Sequence, residues 1–310
     1  MGSIWQRRGN IFDLSRSQVP VVLDDEEGLW KVFFSDRVGR KSIPKMINFS
    51  PDDFSIHGSI SEPILDLGSP GMFDWAGVMP TEVARVGDDI FLYYIGWSNR
   101  LDVPYHNNLG LAISKDGGQS FSKYSEGPVF STSSEEPGYI GTISVMDIGE
   151  SFIGWYLSCR KWSEIEGRME PFYDIKYATS EDGISWKPRG ITCIKLRKGE
   201  GGLSQASVRK IGGVYHMWFS YRMESDFRQN PNRTYKIGYA QSIDGKVWER
   251  YDSPELFPSG NLQEWDGVMT AYPYVVQWKK ELLMFYNGNG FGETGIGIAS
   301  TSIDSVIQRI

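Results

Sequence analysis

The sequence predicts an all-β fold, a five-bladed β-propeller with four-stranded antiparallel blades, on three observations. A turn motif recurs as Ser114-Lys-Asp116-Gly117, Ser180-Glu-Asp182-Gly183 and Ser242-Ile-Asp244-Gly245, with a weaker copy at Ser50-Pro-Asp52 and a truncated one at Ser302-Ile-Asp304. An aromatic strand ending in a small residue precedes each turn, as in Phe91-Leu-Tyr-Tyr-Ile-Gly96 and Leu282-Leu-Met-Phe-Tyr-Asn-Gly288. No segment longer than about ten residues carries clean helical periodicity.

Each element of the repeat has a physical reason. Asp-Gly makes a tight turn, because glycine accepts positive φ and aspartate bonds its own backbone. The aromatic after it (Phe121, Trp186, Trp248) opens an outer strand. The second strands fall at residues 29–35, 90–96, 152–158, 215–220 and 282–288. Hairpin signals such as Gly87-Asp88-Asp89 and Gly212-Gly213 precede them, and β-branched runs precede those, giving strands A to D in each unit. Units of this size read as propeller blades. Outer strands open at Phe54, Phe121, Trp186 and Trp248 only. The fifth is expected from the N-terminus, where Trp5-Gln-Arg-Arg is similar to Trp248-Glu-Arg-Tyr. Such closure pairs the first residues with the last blade and removes an open edge. Residues 1–310 then form a single domain. A pair of β-sandwiches with accidental motif similarity is the alternative.

Composition narrows the function. Lys plus Arg is 32 against 39 Asp plus Glu, a net charge of −7, which argues against non-specific nucleic-acid binding. No apolar run is long enough to span a membrane, and residues 1–12 show no signal-peptide core. Cys159 and Cys193 read as reduced thiols, which suits a cytoplasmic protein. Three scattered histidines and no Cys pair at ligand spacing leave no metal site, and nothing calls for a cofactor.

The five units, the Ser-x-Asp-Gly-x-x-Trp turn and strands such as 91–96 resemble the five-bladed propeller glycosidases, glycoside hydrolase families 32, 43, 68, 117 and 130. The likeness implies a carbohydrate substrate and a site at the channel mouth where A strands start. Families 43 and 32 place an Asp at the start of the first A strand; this chain reads Ser17-Gln18-Val19-Pro20 there. The corresponding starts in units three and four, Gly141-Thr142-Ile143-Ser144 and Leu203-Ser204-Gln205-Ala206, carry no carboxylate either. The usual triad does not carry over.

The candidate site therefore rests on other residues. Long B–C and D–A loops share one face, where function concentrates. Aligning the A strands by their hairpins groups Pro80, Thr142, Gln205 and Tyr272, with Glu82 the one carboxylate in the next polar set. Asp74 and Asp266 precede A strands in related segments, Phe73-Asp-Trp-Ala-Gly-Val-Met and Glu264-Trp-Asp-Gly-Val-Met. Asp74, Glu82 and Asp266 are the expected acid and base of glycosyl transfer, with His106 the non-carboxylate contender. Capping of loops is the structural alternative for the two aspartates, and solvation that for His106.

Phe34-Ser-Asp-Arg37, Leu157-Ser-Cys-Arg160 and Phe219-Ser-Tyr-Arg222 repeat one pattern, and Arg100 lies nearby in the second unit. Guanidinium groups converging on one cavity match a carboxylate or phosphate; pairing with Asp36, Glu164, Glu224 or Asp226 is the alternative. Trp75 is a candidate for stacking on a sugar face. Two functions fit: an enzyme that cleaves or phosphorolyses a glycoside with an anionic group on substrate or co-substrate, or a non-catalytic glycan-binding propeller.

Overall fold

The computed structural model describes residues 4–12, 14–25, 28–228, 230–251, 257 and 260–307. The strands form three hydrogen-bonded sheets, one of four strands and two of eight, and consecutive antiparallel strands within them are grouped below as five units. Strand β1 (Gln6–Phe12) comes first and is set aside for the end. Unit one holds β2 (Ser17–Leu23), β3 (Trp30–Val38), β4 (Lys41–Ser50) and β5 (Ser55–His57). Unit two holds β6 (Gly77–Val86), β7 (Asp89–Ser98), β8 (His106–Ser114) and β9 (Ser122–Lys123). Unit three holds β10 (Ile140–Asp147), β11 (Phe152–Ile165), β12 (Arg168–Ser180) and β13 (Lys187–Ile194). Unit four holds β14 (Glu200–Ile211), β15 (Val214–Met223), β16 (Lys236–Ser242) and β17 (Glu249–Tyr251). Unit five holds β18 (Ala271–Trp278), β19 (Glu281–Asn287) and β20 (Ile296–Ser302), and its fourth strand is β1.

The first strands β2, β6, β10, β14 and β18 touch in sequence, and β18 returns to β2. Apolar side chains fill the spaces between units. Phe91, Tyr93, Ile143 and Trp186 form one such layer between units two and three. Trp155, Val208, Met217 and Phe219 form the next, between units three and four.

The Asp-Gly turns lock these layers. Asp116 accepts backbone N–H bonds from Gln119 and Ser120, both at 3.0 Å. The glycine of each later turn reaches back one unit: Tyr93 donates to the Gly183 carbonyl and Trp155 to that of Gly245, both at 2.7 Å.

Side chains also bond the units directly. Ile143 N–H donates to Thr81 Oγ1 at 3.0 Å, Gln205 N–H to Thr142 Oγ1 at 3.0 Å, and Val275 N–H to Ser207 Oγ at 2.9 Å. At the seam between units five and one, Val19 N–H donates to Asn287 Oδ1 at 2.8 Å. Asn287 Nδ2 in turn donates to the Ser17 carbonyl at 2.7 Å.

Strand β1 pairs antiparallel with β20 at the edge of the sheet that holds β18 and β19. Trp5 is buried edge-on against Trp218, with centroids 5.8 Å apart. Arg7 on β1 clasps the fully buried Asp266 through Nε at 3.0 Å and through Nη2, and reaches Glu264 at 2.6 Å. Beyond β20 the chain forms a short helix α1 (Ile303–Ile307) with Val306 buried near Trp5.

Removing one partner of a buried ion pair costs more than the pair contributes, because the remaining charge keeps its burial. Arg7→Met is expected to lower the unfolding free energy by about 3 kcal/mol. Urea unfolding measures it, and an unchanged midpoint would reduce β1 to a passive strand.

Candidate functional site

A cavity of about 540 Å³ opens where the first strands begin and the second strands end. That size suits a small ligand or part of a larger one. Every first strand contributes to its floor: Gln18 and Val19 from β2, Met79 from β6, Thr142 from β10, Ser204 from β14 and Tyr272 from β18. All five first strands break register with their neighbours there, between Gln18 and Val21, Pro80 and Glu82, Ile140 and Ile143, Ser204 and Ser207, and Ala271 and Tyr274. Bulges of this kind re-aim side chains.

The backbone is strained around this floor. Arg16, Val19, Tyr272 and Phe291, all on the cavity wall, hold φ of 70°, 52°, 56° and 58°. Such conformations cost roughly 1 kcal/mol or more in non-glycine residues, and they cluster at functional sites.

The wall is aromatic and basic. Tyr105, Tyr139, Tyr173, Tyr235 and Tyr272 line it, with Trp97, Phe227 and Phe291. Burial pushes the phenols of Tyr105, Tyr139, Tyr235 and Tyr272 above the usual tyrosine range, so these hydroxyls stay protonated donors. Four arginines (Arg16, Arg37, Arg222, Arg228) face two glutamates (Glu170, Glu293).

Arg222 is the unusual member, only 1% exposed. It donates from Nε to Tyr173 Oη at 3.2 Å, from Nη1 to the Met223 carbonyl at 2.9 Å and from Nη2 to the Pro171 carbonyl at 2.7 Å. Its guanidinium lies 4.0 Å from the Phe227 ring centroid. Among the described residues no carboxylate reaches within 4.0 Å of it. Neutral oxygens and ring faces thus hold a buried cation with room for an anion beside it. Arg228, by contrast, grips Glu170 with both nitrogens, one bond at 3.0 Å. Arg37 donates to Gln18 Oε1 at 3.2 Å.

The structure brings together Arg37, Arg222 and Tyr272 of the residues singled out from sequence. Arg16, Arg228, Glu170 and Glu293 join them without having been picked out. Arg160 points elsewhere. It is the extra residue in a bulge between the Cys159–Tyr173 and Lys161–Phe172 pairs, so it swings into solvent and meets Asp174 at 3.4 Å. Arg100 lies outside the central lining. Gln205 is fully buried under the floor, donating from Nε2 to the Thr81 carbonyl at 3.1 Å. Trp75 lies off the cavity under the Lys41 ammonium, 4.5 Å from its ring centroid. His106 is half-buried at the start of β8 and does not line the cavity; burial and then Arg100 hold its pKa below the usual value, against Asp102.

Three carboxylates expected to be catalytic are placed in the scaffold. Asp74 is fully buried, with Lys123 at 2.6 Å and Tyr94 Oη at 3.2 Å. Asp266 takes Arg7 and Tyr286 Oη at 2.7 Å. Glu82 accepts from Tyr274 Oη at 2.5 Å, Ser144 Oγ at 3.1 Å and Val145 N–H at 3.2 Å. Burial raises its pKa, against the pull of Arg209. None of the three lines the cavity.

Asp74 and Asp266 belong to a repeat hidden from the sequence reading. Glu136 bonds Tyr156 Oη at 2.9 Å and Lys176 at 2.7 Å, and Glu200 is held by Arg250 at 2.6 Å. In units two, three and five the carboxylate lies 20 residues before its tyrosine. In units two, four and five its cation sits on the outermost strand, so each acid ties the entry of a unit to its rim. Among the described residues no cluster of three or more His, Cys, Asp or Glu could hold a metal ion, and no helix is long and apolar enough to cross a membrane.

With this geometry in hand, comparisons with known proteins become informative. Two uncharacterized proteins of Mycobacterium tuberculosis, MT1551 and Rv1502, are each 32% identical to this chain over 310 residues. The match covers 95% of this chain and 98% of each of theirs. The chain belongs to their family. No protein-family model matches it.

Solved structures add the fold. A glycosyl hydrolase from Bacteroides ovatus superposes with a TM-score of 0.71 at 15% identity, covering 97% of this chain and 94% of that one. The β-1,2-mannobiose phosphorylase of Listeria innocua, in complex with β-1,2-mannobiose, gives 0.69 at 14% identity, covering 98% and 92%. A Bombyx mori GH32 β-fructofuranosidase in complex with sucrose gives 0.63 at 16%, covering 94% and 61%. The family of the mycobacterial proteins therefore shares the fold of the β-propeller glycosidases.

The site has one titratable group of note just behind it. Asp174 is buried, and burial pushes its carboxyl up to about 6, against Arg160 and Lys176. A carboxyl that binds its proton more tightly when folded stabilises the protein below the unfolded value, and that contribution is lost as pH rises to about 6. Relative to Asp174→Asn, the parent is expected to lose about 2 kcal/mol between pH 4 and 7. Urea midpoints across that range measure it, and parallel profiles would remove the assignment.

Proposed function

We propose that residues 1–310 form one five-bladed β-propeller, with the five units as blades and β1 closing the last. We propose further that its central cavity binds a carbohydrate through an anionic group. The observation that carries this reading is Arg222, a buried guanidinium with no carboxylate in reach among the described residues, beside Arg37 and Arg16 on a tyrosine wall. Bidentate guanidinium bonds suit phosphate or a sugar carboxylate. The tyrosines offer ring faces for a pyranose and hydroxyl donors for its oxygens.

The same cavity supports glycoside cleavage in which phosphate is the nucleophile. A phosphate oxygen held by the arginines attacks the anomeric carbon and the bond to the leaving oxygen breaks. A carboxylic acid gives that oxygen a proton, and a sugar phosphate and a free sugar leave. Such a reaction needs one proton donor and no second carboxylate to activate water. Glu170 is tied to Arg228, which leaves Glu293 as the donor in this reading. Asp74, Glu82 and Asp266 hold the scaffold in it, and Arg37, Arg222 and Tyr272 hold the substrate. A second reading, binding without cleavage, is favoured by one observation: the three buried carboxylates lie off the cavity.

Thermal unfolding with inorganic phosphate or a sugar acid is expected to show a raised Tm that Arg37→Gln abolishes. No shift with either anion in the parent would overturn the anion reading. On a glycoside panel, turnover is expected only with phosphate present, and Glu293→Gln is expected to reduce kcat about a hundredfold or more. Equal turnover without phosphate would exclude phosphorolysis, and glycan binding with no turnover would establish the second reading.

A further inference from the structure

We propose that the ligand is an oligosaccharide bearing anionic groups on more than one sugar, and that a hollow beside the central cavity holds the second group. This rests on the anion reading of the central cavity and extends it outward.

The hollow measures about 460 Å³ and shares Pro104, Glu170 and Arg228 with the central cavity, so the two form one continuous path. Loops from three consecutive units build it. Arg100 comes from the link between β7 and β8, Arg168 from the tip of the long β11–β12 hairpin, and Arg228 from the link between β15 and β16. Arg100 and Arg168 have no carboxylate within 4.0 Å among the described residues. Arg228 is already paired with Glu170, so the shared wall carries no net charge and an anionic chain can cross it.

Charge also selects the direction. A third hollow, about 210 Å³, also borders the Glu170–Arg228 pair and shares Arg168, but it adds Glu166, Glu224 and Asp226, where the hollow of about 460 Å³ adds Arg100 against Asp102 alone. The three added carboxylates repel an anionic chain there, and Arg100, absent from that hollow, draws it the other way. Leu101, fully exposed at this edge, offers an apolar surface to the next sugar ring. A group spanning both sites gains affinity because its second contact is intramolecular.

Calorimetric titration with oligogalacturonates of increasing length, and separately with sulfated maltooligosaccharides, tests this. The expected result is a trimer bound about tenfold more tightly than its monomer, or about 1.4 kcal/mol. The Arg100→Gln, Arg168→Gln double variant is expected to bring that ratio to about one, while Arg37→Gln weakens monomer and trimer alike. The series that shows the gain identifies carboxylate or sulfate as the anion. Trimers that bind no better than monomers in both series, or a double variant that keeps the ratio, would overturn the extension while phosphate binding at the centre stands. Failure of phosphate and both monomers to bind at all would instead overturn the central anion reading.

Discussion

The first strand of every unit shifts its register against its own neighbour at the cavity floor and pairs again beyond the shift, and much of the architecture follows from how that is done. A straight ladder would continue to the floor and leave no room for a ligand. Each first strand instead shifts register near its start. A bulge frees backbone groups, and buried groups left unpaired are costly. Thr142, Ser144, Ser207, Ser220 and Asn287 supply side-chain oxygens from the preceding unit to the N–H groups of Gln205, Val208, Val275, Tyr272 and Val19. One device thus opens the cavity and fastens each unit to the next.

That coupling explains why the repeat was readable in sequence. The Ser-x-Asp-Gly turn is local chemistry, with donors and acceptors two to four residues apart, so it survives in the pattern of the chain. The small residue near the end of a second strand recurs for a packing reason instead: Gly96 leaves space for Phe73 and Gly288 for Trp265. The closure by β1 was legible because Arg7 follows Trp5 as Arg250 follows Trp248, and both arginines hold a buried acid.

The site was legible only in part, because the pairings around it run between distant segments. Asp74 and Asp266 stand where a catalytic carboxylate would enter a first strand. Their partners, Lys123 and Arg7, lie on outer strands far along the chain. No local pattern reveals such a pairing, and Glu136 and Glu200, which repeat it, lie in segments that share no motif with Asp74. The arginines show the same limit. Arg160 and Arg222 end similar strands, yet a single bulge sends Arg160 into solvent while Arg222 stays within the sheet, opposite Gly202. Gly202 matters there, because a Cβ at that position would collide with the Tyr173 ring that Arg222 bonds. Arg16 and Arg228 sit in irregular links that offer no repeat to align.

A cavity walled by four arginines and two glutamates stands out on a chain whose net charge is −7. The overall field repels anions at a distance, so under the proposed anion reading the site would rely on its own walls rather than on long-range steering. Its strongest contact point is also its least exposed. Arg222 is pre-set by two carbonyls and a phenol, and rings on either side limit its motion. A cation held this way has already lost its hydration in folding, so an arriving anion pays less to displace water from it. The scaffold carries that cost through its ties between units and its buried acid–base pairs. The ties between units and the strained residues Val19 and Tyr272 meet at the cavity floor.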